Sequence, residues 1–86
     1  VVRRQFLVTE LATCETTVQI GEAELATGNM PTVDKEIAAV EKGIRTIHRF
    51  LPGIAPEERG DLVHRLAELE ASVRQLRNAS ARRTRR

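Results

Sequence analysis

The sequence predicts an all-α fold, an antiparallel three-helix bundle. Two patterns carry that prediction. Apolar residues recur at alternating steps of four and three along three separate segments, and connectors rich in glycine and proline divide the segments. Steps of three and four keep side chains on one side of a helix, and such a stripe is buried when helices pack side by side. Short connectors turn each helix back on the one before it.

The first helix is expected over residues 3–27, with Leu7, Leu11, Cys14, Val18, Gly21 and Leu25 on its stripe. Its ambiguous stretch is Glu15-Thr16-Thr17-Val18-Gln19-Ile20, whose β-branched residues lower helix propensity and whose alternation also fits a strand. A lone strand would have no partner in this chain, so helix is the reading. Gly21 on the stripe fits a tight helix crossing. At about 37 Å this helix is expected to overhang the other two.

Thr27-Gly28-Asn29-Met30-Pro31-Thr32 separates the first two helices. Gly28 or Asn29 suits the left-handed cap that ends a helix, and Pro31 or Thr32 suits the start of the next. The second helix is expected over 32–51, with Val33, Ile37, Val40, Ile44, Ile47 and Leu51 inward. Arg45, His48 and Arg49 complement the negative end of its dipole.

Pro52-Gly53-Ile54-Ala55-Pro56 breaks the chain again, and the third helix is expected over 56–78 on Leu62, Leu66, Leu69, Val73 and Leu76. Three pairs at i,i+4, Glu41 with Arg45, Asp61 with Arg65 and Glu70 with Arg74, are expected to add roughly 0.2–0.5 kcal/mol each. Residues 1–78 thus form one bundle, and 79–86 form a basic tail expected to be disordered.

Composition narrows the function. Eighty-six residues at 9.6 kDa make one small domain, and two aromatics, Phe6 and Phe50, leave no stacking platform for single-stranded nucleic acid. Net charge is +2, yet Arg82, Arg83, Arg85 and Arg86 supply four positive charges, so residues 1–81 carry a net charge of −2. One cysteine, Cys14, excludes an intrachain disulfide. No stretch has the length and apolarity of a membrane span, and the opening run VVRRQFLVTEL lacks the features of a signal peptide. A cytoplasmic protein is expected.

Surplus apolar surface points to a protein partner. The first helix carries a second stripe of Val2, Phe6, Thr9, Thr13, Thr16 or Thr17, Ile20, Ala23 and Thr27. Ala39, Gly43, Thr46 and Phe50 line the second helix beside its main stripe, and the third adds Val63, Ala67 and Ala71. A small bundle needs about one apolar face per helix, so the second faces suit contact with another chain. Phe6, Thr13, Ile20, Ala39, Gly43 and Phe50 are the expected interface, with a homodimer or an unknown protein as the partner.

Ile20-Gly21 followed by Gly28-Asn29-Met30 resembles one helix-turn-helix unit of the tetratricopeptide repeat, with Val33, Ile37 and Val40 inward on its second helix. The resemblance covers one repeat, with Thr17 where the family has an aromatic, and it implies peptide binding in a groove.

Catalytic and metal chemistry finds little purchase in the sequence. Asp61 and His64 lie one turn apart, but no Cys-x-x-Cys, His-x-x-x-His or paired Glu-x-x-His motif completes a site. His48-Arg49-Phe50 and His64-Arg65-Leu66 share only the His-x-apolar part of a histidine phosphotransfer motif, without its lysine and glycine. Cys14, on the main stripe, reads as a buried, inert thiol. The expectation is a non-enzymatic interaction module with no catalytic residue, metal or cofactor. The alternative is a nucleic-acid-associated protein gripping phosphates through Arg82, Arg83, Arg85 and Arg86, with Arg74 and Arg77 extending the track.

Overall fold

The computed structural model describes residues 3–84, which form three helices packed along one another in a rod of 47 × 17 × 16 Å. Helix α1 spans Arg4–Thr27, α2 spans Met30–Phe50 and α3 spans Gly60–Thr84. The stretch from Glu15 to Ile20 is helical throughout. Thr17 Oγ1 donates to the Thr13 carbonyl at 2.8 Å, which satisfies a polar β-branched side chain inside the helix.

The α1–α2 turn is a Schellman cap. Gly28 adopts φ 82°, its amide donates to the Leu25 carbonyl at 3.1 Å, and the Asn29 amide donates to the Glu24 carbonyl at 3.0 Å. Gly28 thus takes the left-handed position, and α2 begins at Met30, two residues before the expected start. Between α2 and α3 lie two 3-10 turns, Leu51–Gly53 and Pro56–Glu58. The chain is therefore not yet α-helical at Pro56; α3 proper opens at Gly60. Arg59 stitches this connector, its Nε and Nη2 donating to the Ile54 carbonyl at 3.2 and 2.6 Å, and its Nη2 also reaching Pro52 O at 3.4 Å.

Every buried apolar residue within the helices lies on one of the three predicted stripes. The remaining core member, Ile54, is 3% exposed and plugs the connector end of the bundle. Gly21 is buried, and a Cβ there would lie 2.8 Å from Leu76 Cδ2, so α3 crosses α1 closely at this point.

Two expectations need correction. First, α3 does not stop at 78: residues 79–84 continue the helix, so at 25 residues it is as long as α1, which overhangs nothing on that side. Tertiary contacts hold the extension. Ser80 is 5% exposed with Oγ 3.3 Å from Asp34 Oδ1, and Arg83 Nη1 donates to the Leu25 carbonyl at 2.7 Å. A guanidinium at the last carbonyls of α1 also complements its dipole. Arg85 and Arg86 lie outside the described residues. Second, four of the six charges expected to pair along one helix, Glu41, Asp61, Arg65 and Glu70, reach across to another. Glu41 pairs with Arg77, Asp61 with Arg4, Arg65 with Glu15 at 2.7 Å and Glu70 with His48 at 3.4 Å.

Candidate interaction face

The six residues singled out for partner contact come from α1 and α2, and those two helices place them on one side of the hairpin. Orientation follows from the charges. Glu15 on α1 and Glu41 on α2 point at α3, where Arg65 and Arg77 meet them. Side chains on the opposite side of each helix turn away from α3. There a shallow groove of about 260 Å³ runs between α1 and α2, lined by Thr13, Cys14 and Thr17 from one wall and Ala39, Gly43 and Thr46 from the other. Glu10 and Lys42 also line it, one charge of each sign.

Aromatic packing closes one end. The Phe6 and Phe50 rings meet edge to face, centroids 5.7 Å apart at 88°, and the Arg49 guanidinium lies 5.5 Å from the Phe50 centroid. Phe6 remains 43% exposed, and Ile20 further along α1 is 46% exposed. Thr13 and Ala39 are exposed as well.

Two of the six serve the chain's own packing. Phe50 is half-buried against the core, and a Cβ on Gly43 would fall on Cys14 Sγ. The room left by the missing side chain at Gly43 is taken by the thiol of α1. Phe50, also among the expected interface residues, is the wall against which Phe6 rests.

The threonines of this side are less polar than their names imply. Thr17 and Thr46 hydroxyls donate to carbonyls one turn back, at 2.8 and 3.2 Å, and Thr9 Oγ1 accepts from Gln5 at 3.4 Å. With its donor turned into the helix, a threonine presents largely its methyl group. Burying Thr17 or Thr46 therefore strands no hydroxyl donor, which favours them in an interface core.

Other sequence candidates separate in space. His48 and His64 are exposed and pair with Glu70 and Glu68. Asp61 turns to Arg4, so Asp61 and His64 are not brought together. Among the described residues, no cluster of three His, Cys, Asp or Glu side chains is placed to hold a metal. Burial, reinforced by Glu10 and Glu15, raises the Cys14 pKa above the ordinary thiol range, which suits packing rather than nucleophilic attack. The hydrogen bonds to Glu15 hold Arg65 above its ordinary range. Among the described residues, no helix is long and apolar enough to cross a membrane.

The basic track is broken up by partners: Arg77 meets Glu41, Arg83 caps α1, and Arg74 shares the α2–α3 groove with Glu41 and Glu70. Sequence reading missed Ile54, Arg59 and Ser80. Ser80 was within reach, since it lies four residues beyond Leu76 and continues the stripe. Ile54, alone between Gly53 and Ala55, has no periodicity to announce it.

No protein family, curated protein or solved structure matches this chain, so its side-chain geometry carries the functional argument.

Proposed function

We propose that this protein is a non-enzymatic interaction module that docks a protein on the side of the α1–α2 hairpin turned away from α3. One observation carries the reading. Phe6 and Ile20 stand nearly half exposed on the same face of α1, beside a groove in which the Thr17 and Thr46 hydroxyls donate to their own helices. Exposed aromatic and branched aliphatic side chains flanking small residues form the apolar centre of an interface, and Glu10 and Lys42 supply a charged rim. The nucleic-acid alternative draws less support, because Arg77 and Arg83 already have partners within the chain.

The test uses Ile20→Glu, with Val63→Glu on α3 as the control for a charge on an equally exposed site. Association, with itself in sedimentation or with a co-purifying protein, is expected to weaken at least about tenfold in Ile20→Glu and to persist in Val63→Glu. Association insensitive to Ile20→Glu, or none at all in cell extract and up to about millimolar pure protein, overturns the reading.

A further inference from the structure

The geometry points to a second copy of this chain as the occupant of that face, with the two α1 helices antiparallel about a two-fold axis at Thr13. The inference rests on the interaction reading above and names its partner.

Three observations carry it. Phe6, Thr13 and Ile20 are spaced by seven residues, so Thr13 is the midpoint of a stripe with a large apolar group at either end. A two-fold through Thr13 sets each Phe6 level with Ile20 of the second copy, and an isologous contact requires that self-complementarity. Because Phe50 backs Phe6 edge-on, each end would seat one isoleucine on an aromatic pair. Phe6, Thr9, Thr13, Thr16, Ile20 and Ala23 include no ionisable residue, and the charges Glu10 and Lys42 lie beside that line, in the groove between α1 and α2.

Charge selects the antiparallel arrangement. The start of α1 carries Arg3 and its last turn carries Glu24, while Arg4 and Glu22 turn toward α3. Antiparallel pairing about Thr13 brings Arg3 within one residue of the level of Glu24 of the second copy and opposes the two helix dipoles. Parallel pairing would align arginine with arginine and glutamate with glutamate. Size is adequate. A face two helices wide along the length of α1 covers about 650 Å² per copy, near the lower bound for a specific dimer.

Sedimentation of the wild-type chain is expected to show monomer and dimer exchanging between roughly 1 and 100 µM. The decisive experiment mixes two variants. Phe6→Lys and Ile20→Glu should each associate at least about tenfold more weakly than wild type. Mixed together they should recover a heterodimer, since one end then holds a lysine–glutamate pair and the other keeps the native phenylalanine–isoleucine contact. Parallel pairing cannot give that recovery. As a second measurement, Thr13→Cys in a Cys14→Ala background should oxidise to a disulfide-linked dimer faster than Phe6→Cys or Ile20→Cys alone, with helicity checked by circular dichroism.

A mixture no tighter than its components, or Phe6→Cys cross-linking faster than Thr13→Cys, overturns the pairing. So does a wild-type chain that stays monomeric to about 1 mM. If that monomer still binds another protein in an Ile20-dependent way, the second copy is wrong and the interaction reading stands. If Ile20→Glu alters no association of any kind, both fall together.

Discussion

Cys14 Sγ occupies the space where a side chain on Gly43 would begin. This contact fixes how closely α1 and α2 approach midway along the hairpin, and it makes the thiol part of the packing of both helices.

Gly43→Ala is therefore expected to overpack the α1–α2 contact and cost about 1–3 kcal/mol, even though alanine favours the helix. Removing the sulfur relieves the conflict. The double variant with Cys14→Ala should be more stable than the sum of the single effects predicts, as measured by urea denaturation. Strict additivity would show that the contact is not tight.

The same thiol gives a dependence on pH. Its pKa is raised by burial first and by Glu10 and Glu15 after it. The folded chain thus holds this proton more firmly than the unfolded chain. The contribution is complete below the ordinary thiol pKa and is lost as pH climbs through the raised value. The denaturation midpoint of the wild type is expected to fall between about pH 8 and pH 10 more steeply than that of Cys14→Ala. Parallel curves would contradict this.

Ile54 and Ile20 have the same side chain in opposite surroundings, 3% against 46% exposed. Truncating Ile54 to alanine opens a cavity at the connector and should cost about 2–5 kcal/mol. Ile20→Ala should cost under about 1 kcal/mol in protein diluted until sedimentation shows it monomeric. Thermal denaturation of the two variants at that concentration makes the comparison, and equal losses would mean that Ile20 is buried in the monomer.

Arg59 holds the connector by donating to the Ile54 and Pro52 carbonyls. Arg59→Ala should destabilise by about 1–3 kcal/mol, the range for charge-assisted hydrogen bonds that are partly shielded. Hydrogen exchange should accelerate at the Ile54 amide, which donates to Leu51 O, before it does so in the middle of α2. Uniform acceleration would place the effect elsewhere.

Arg83→Ala tests the extension of α3. Loss of its hydrogen bond to Leu25 O should cost about 0.5–2 kcal/mol and shorten the helical protection at the end of α3. Unchanged protection around Ser80 would show that the Ser80–Asp34 contact suffices alone.

The candidate face was legible in part. Phe6, Thr13, Ile20 and Ala39 stand outward, as a second stripe on a helix with one buried stripe must. Gly43 lines the outward groove and also admits the Cys14 thiol, because glycine records that something approaches, not which chain supplies it. For Phe50 the reach to the core depends on where α2 ends, and α2 gives way to a 3-10 turn directly after it.

The periodicity of Leu7 through Leu76 by itself determined three helices and their inward faces, because an apolar stripe is written within each helix, and the short connectors determined their antiparallel order. Tertiary structure alone decided the ion-pair partners, the burial of Ile54 and the continuation of α3 past 78. These depend on the rotation and register of one helix against another, which set what a long arginine side chain can reach and which no single-helix pattern encodes.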